Sequence, residues 1–171
     1  MKLKLIILLF ITTICTIQTN AQNSASNILE NALTQAKAEN KNVFVKYSAS
    51  WCGWCKKMDR QMKSDSCKSF FDANYVTVTL VVKESKNKKH LENPGAIDFL
   101  KKHKGEKAGL PFWAILDNTG VLMEDSYNAK GENIGCPATD SEVADFITIL
   151  KKTSNLTDEN LNIISEIFLS K

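Results

Sequence analysis

Three short β-rich runs, at residues 43–49, 75–82 and 112–116, alternate with segments of helical apolar spacing, and this interleaving constrains the fold most. Leu29, Ala32, Leu33 and Ala36 recur at i, i+3, i+4 and i+7, which predicts a first helix from Ile28. Residues 52–63 are rich in helix formers, and Phe70 and Phe71 mark a second helical piece after Ser64. Residues 83–109 form a lysine-rich stretch with a helix near 96–102 and read as a solvated surface excursion. Asp117-Asn118-Thr119-Gly120 joins 112–116 to 121–123 as a hairpin, because Asn118 and Gly120 tolerate positive φ. Thr139 and Glu142 fit a capping box, followed by Val143, Phe146, Ile147 and Leu150 on one face. A last helix, started by Thr157, carries Leu161, Ile164 and Phe168. Strand–helix alternation closing in a hairpin predicts an α/β fold: a central mixed sheet flanked by helices on both faces.

Length and composition narrow the remaining classes. At 171 residues, 43% hydrophobic and 24% charged, the chain suits one domain and excludes fibrous or largely disordered forms. A net charge of +3 with Arg60 as the single arginine offers nothing to nucleic acid. Residues 1–21 have the layout of a signal peptide. Lys2 and Lys4 precede an apolar run over 5–17, and Thr19-Asn20-Ala21 supplies small residues for cleavage. Thr12, Thr13 and Thr16 interrupt that run, which argues against a membrane span of ~20 apolar residues. The expected mature chain, 22–171, is therefore periplasmic or secreted. Cleavage removes two lysines and no acid, so 22 basic residues become 20 against 19 acidic ones, leaving the mature chain near neutral.

Cys52, Cys55, Cys67 and Cys136 remain, and the first two carry the chemistry. In Cys52-Gly53-Trp54-Cys55, the first cysteine stands where a buried strand gives way to a helix. Unpaired N–H groups and the positive end of the helix dipole favour thiolate there. Such surroundings lower a cysteine pKa from about 8.5 to roughly 3.5–7.5. Lys56 and Lys57 add positive charge, and one helical turn brings Cys55 within reach of a mixed disulfide at Cys52. A zinc site would want a second close pair. Cys67 and Cys136 stand far apart, and His90 and His103 have no matching spacing, so no metal is expected.

The segment Ala49-Ser50-Trp51-Cys52-Gly53-Trp54-Cys55-Lys56-Lys57-Met58 resembles the active-site segment of the thioredoxin superfamily. Gly109-Leu110-Pro111, leading into 112–116, resembles that family's cis-proline loop. The likeness covers roughly 28–152, with 83–109 as a helical insertion and the last helix as an extension. It is nearest to exported single-domain members with a W-C-x-x-C-K-x-M motif. It implies a thioredoxin-like fold and a protein disulfide oxidoreductase acting on protein substrates with thiols or disulfides. It also implies an upstream membrane or soluble redox partner and no metal or organic cofactor. Cys52 and Cys55 would be catalytic, and Trp51, Trp54, Leu110 and Pro111 would bind substrate. Two other readings share this sequence: a binding module with a structural disulfide, and a dedicated electron donor for cytochrome maturation.

The chain departs from the family at two places. Gly-Trp replaces Gly-Pro between the cysteines, and Lys46 occupies the position of the family's buried acid. An ammonium beneath the sulfurs would favour thiolate, which makes Lys46 a candidate for tuning the pair. Its other reading is a packed stem whose head reaches water or a carboxylate. Cys67 and Cys136 are expected to remain unbridged.

Overall fold

The computed structural model describes residues 22–170, so the expected signal peptide lies outside the described residues. Ser24 accepts the Asn27 amide and starts helix α1 (Ala25–Glu39) before the apolar spacing begins. Asn40, in the left-handed region, ends it. Strand β1 (Asn42–Ser48) leads into helices α2 (Gly53–Met62) and α3 (Lys68–Asn74). These cross to β2 (Tyr75–Val81), which pairs parallel with β1 and sets Lys46 opposite Thr79. After helix α4 (Ala96–Lys102), strand β3 (Phe112–Leu116) pairs antiparallel with the other edge of β1, and there Lys46 faces Trp113. Strand β4 (Leu122–Asp125) completes a mixed four-stranded sheet in the order β2-β1-β3-β4.

The period-2 alternation of β1 and β3 divides the core. Val43, Val45 and Tyr47, with Phe112 and Leu116, pack beneath α1 and α4. Phe44, Trp113 and Ile115 face Met58 and Met62 of α2 and Phe71 of α3. The same cluster takes in Phe146 of helix α5 (Asp140–Thr153) and Phe168 of helix α6 (Asp158–Leu169). Both C-terminal helices begin with capping boxes, at Thr139 with Glu142 and at Thr157 with Asn160. The expected α/β sheet, covered on both faces and extended by a final helix, is the observed fold. The β3–β4 turn also forms, but of the two residues expected to take positive φ only Gly120 does, and Asn118 does not. The Asp117 carboxylate accepts the amides of Thr119 and Val121, and Gly120 supplies φ 89°.

The lysine-rich segment needs a correction. Its residues 85–90 are exposed, as a solvated excursion requires. Glu84, Asn93, Ala96, Leu100 and His103, however, are buried, and they tie the segment into the domain. Asn93 accepts the Val81 amide at 2.7 Å, and the Tyr47 hydroxyl pairs with His103 Nδ1 at 3.1 Å. Lysine composition describes the rim of this segment and says nothing of its base.

Candidate active site

The chain leaves β1 through a turn in which the Cys52 amide donates to the Ala49 carbonyl at 3.0 Å. That turn places Cys52 at the N-cap of α2, where its Sγ accepts the Cys55 amide at 3.1 Å. A disulfide joins Cys52 to Cys55 across the first turn, with Cα atoms 5.3 Å apart. Both cysteines are buried and pack with Ala49 against Leu110. The Leu110–Pro111 peptide bond is cis. Asn133 braces this loop by donating Nδ2 to the carbonyls of Gly109 and Pro111, at 3.1 and 3.2 Å. Gly135 fits there at φ 51°, since a Cβ would lie 3.1 Å from the Pro111 carbonyl oxygen. Two segments remote in sequence thus meet at the sulfurs.

Around them the surface is apolar and open. Trp51 and Trp54 are 57% and 54% exposed, high for tryptophan; the first precedes Cys52 and the second lies between the two cysteines. The Trp51 indole donates to the Lys83 carbonyl at 2.9 Å, and Lys57 Nζ stands 5.4 Å from the Trp54 ring centroid. A groove of about 430 Å³ runs from Trp54 past Leu110 and Pro111 to Cys136 and Glu142. Among the described residues, no group hydrogen-bonds to the Leu110 amide or carbonyl. A backbone pair of that kind can take an extended peptide as an added strand. Of the residues singled out in the sequence, Leu110 packs against the two cysteines, Trp54, Leu110 and Pro111 line the groove, and Trp51 adjoins Cys52 in the chain.

Lys46 lies beneath α2, fully buried, with its ammonium in an ion pair to Asp59. Burial holds its pKa below the ordinary lysine value, and the Asp59 carboxylate opposes that shift. Asp59 itself is 38% exposed at the side chain and follows Cys55 by one helical turn. Spacing offered a signal for this partner: a lysine inside an apolar strand needs a carboxylate, and Asp59 is the single acid in α2. Glu84, Lys83 and Asn133 carried no such signal, because each reaches the site from a loop.

Cys67 and Cys136 are both free and buried. Burial pushes the Cys136 thiol up to about 11, and its sulfur stands 3.5 Å from Gln61 Oε1. Burial also raises Cys67. Thiol-specific alkylation of the oxidised protein is therefore expected to label Cys67 and Cys136 only after denaturation, with Cys52 and Cys55 protected throughout. Mass mapping reads this directly, and an unlabelled Cys67–Cys136 pair in denatured protein would overturn it. Among the described residues, no three His, Cys, Asp or Glu side chains gather as metal ligands.

A buried strand, a C-x-x-C disulfide at the following helix start and an opposed cis-proline loop together define a thioredoxin-like protein. The thioredoxin-like family model matches residues 24–118, and the chain belongs to that family. Its fold is similar to that of a disulphide isomerase from Xylella fastidiosa Temecula1, at 14% identity and a TM-score of 0.52, over 89% of this chain and 91% of that one. A weaker likeness links it to the C-terminal domain of DsbD from Neisseria meningitidis in the oxidised form. There the identity is 19% and the TM-score 0.42, over 61% of this chain and 84% of that one. No curated protein sequence matches the chain.

Proposed function

We propose that this protein is an exported thiol–disulfide oxidoreductase that moves two electrons between its Cys52–Cys55 pair and the cysteines of other proteins. The observation that carries this reading is a disulfide at the start of α2, flanked by exposed Trp51 and Trp54 and by the free backbone of Leu110. In the reducing direction the Cys52 thiolate attacks one sulfur of a substrate disulfide. A Cys52–substrate bond forms, the substrate bond breaks, and the first substrate thiolate leaves. Cys55 then loses its proton and attacks Cys52 Sγ, releasing the second substrate thiolate and restoring the Cys52–Cys55 bond. The substrate gains two electrons and the pair loses two. An external dithiol donor, a membrane or soluble redox protein, must reduce the pair again. In the oxidising direction the same steps run backward.

The basic and apolar pattern of residues 1–21 supports export to the periplasm or the exterior, where disulfides persist. Insulin reduction in dithiothreitol tests the activity. The protein is expected to raise the rate of B-chain precipitation well above that of dithiothreitol alone. A rate equal to dithiothreitol alone would make the chain a binding module with a structural disulfide.

A further inference from the structure

We propose that Lys83 and Glu84 form a clasp that holds both walls of the docking surface around Cys52 and so favours protein disulfides over small ones. This inference rests on the oxidoreductase reading.

The last sheet bond on this side runs from the Val82 amide to the Ser48 carbonyl at 2.9 Å. Immediately beyond it Lys83 takes φ 56°, a left-handed conformation that is strained for a non-glycine residue. Strain of that kind persists only where neighbouring contacts over-determine it, and here they can be named. The Lys83 carbonyl accepts the Trp51 indole N–H at 2.9 Å. Its ammonium donates to the carbonyls of Glu106 at 2.9 Å and Ala108 at 2.8 Å. One residue on, the Glu84 carboxylate accepts both the amide and the hydroxyl of Ser50, the latter at 2.9 Å. Glu92 fixes Glu84 in turn by accepting its amide at 2.7 Å.

These bonds divide between two loops. Ser50 and Trp51 belong to the turn that delivers Cys52 to the N-cap of α2. Glu106 and Ala108 immediately precede Gly109-Leu110-Pro111, which lies against the sulfurs. Two consecutive residues therefore bind the approach to the cysteine pair and the approach to the cis-proline loop. Lysine suits position 83 because an ammonium has three donors and no acceptor, so it can hold two carbonyls together. A docked polypeptide must touch both walls, and their spacing has to be set before it arrives for the contact to be strong. A small disulfide needs only access to Cys52 Sγ. Loosening the clasp thus weakens turnover of the first far more than the second.

The test compares wild type with Lys83→Met, Lys83→Gly and Lys83→Arg. It measures kcat and KM for insulin, the rate with Ellman's reagent, and exchange of the Trp51 indole N–H by NMR. Lys83→Met is expected to raise the KM for insulin about fivefold to tenfold with kcat within about twofold, lowering the insulin-to-Ellman ratio. Lys83→Gly relieves the left-handed backbone, so its melting temperature holds while the ratio still falls, which separates positioning from folding. Lys83→Arg, which keeps the charge and donors, is expected to restore most of the ratio. An unchanged ratio in folded Lys83→Met, or equal losses with both disulfides, would overturn the clasp. A wild type inactive on insulin would remove the oxidoreductase reading instead. The clasp would then stand or fall on whether Lys83→Met accelerates Trp51 indole exchange.

Discussion

Serine in place of Cys52 is expected to bring disulfide reduction down to the uncatalysed rate, while serine in place of Cys55 leaves the protein covalently joined to its substrate. Disulfide exchange needs a sulfur nucleophile, because the attacking atom must itself become half of a new S–S bond. A hydroxyl at position 52 supplies neither the thiolate nor the bond, and Cys55, inside α2 rather than at its N-cap, is poorly placed to replace it. Cys55→Ser keeps the first step and loses the second. The mixed disulfide forms at Cys52, and no thiol stands within one helical turn to expel the substrate. Cys67 and Cys136 do not compensate, being buried thiols whose pKa values burial raises. Non-reducing electrophoresis of reduced Cys55→Ser mixed with a disulfide-bearing substrate should show a stable adduct that dithiothreitol cleaves. An adduct of equal yield in Cys52→Ser would reverse the two roles.

What could be read from the sequence follows a physical boundary. Cys52, Cys55, Trp51 and Trp54 lie on one local segment, so spacing and the strand–helix junction were enough to assemble them. The cis-proline loop was legible through resemblance, although it meets the sulfurs only after the chain has crossed the sheet to β3. Lys46 was singled out by resemblance, as the residue at the position of the family's buried acid, and the reading that sends its head to a carboxylate matches the ion pair with Asp59. The clasp was hidden for a different reason. Glu84 meets Ser50 across 34 residues, and Lys83 meets Ala108 across 25, within a segment whose lysines suggested solvent. Composition averages over side chains, whereas the left-handed Lys83, two residues past β2, is held by specific partners from other loops. No local pattern encodes that conformation, because the hydrogen bonds that hold it come from tertiary neighbours.

Asparagine in place of Asp59 is expected to destabilise the fold by about 3 kcal/mol at neutral pH, whereas methionine in place of Lys46 should cost under about 1 kcal/mol or even stabilise it. The asymmetry comes from exposure. The Lys46 side chain is fully buried while that of Asp59 is 38% exposed. Without Asp59 an ammonium is left beneath α2 with no counter-charge; without Lys46 a carboxylate is left that water can reach. Methionine also comes close to a lysine stem's volume and needs no partner for a charge. The pH dependence fixes the sign. Burial depresses the Lys46 pKa in the folded state, so between that value and the ordinary lysine value the unfolded chain binds more protons. Stability therefore rises with pH through that window. In Asp59→Asn the opposing attraction is gone and the window widens toward neutrality, so its urea midpoint should climb between pH 7 and 10 more than wild type. Lys46→Met should show no such climb, and equal losses in the two variants would refute the argument. The same pair gives opposite redox signs. Removing the ammonium makes the disulfide harder to reduce, by under about tenfold because Asp59 already compensates it, whereas Asp59→Asn uncovers the charge and makes reduction easier. Glutathione equilibria of wild type and both variants measure this, and three superimposable curves would confine the pair to holding α2 on the sheet.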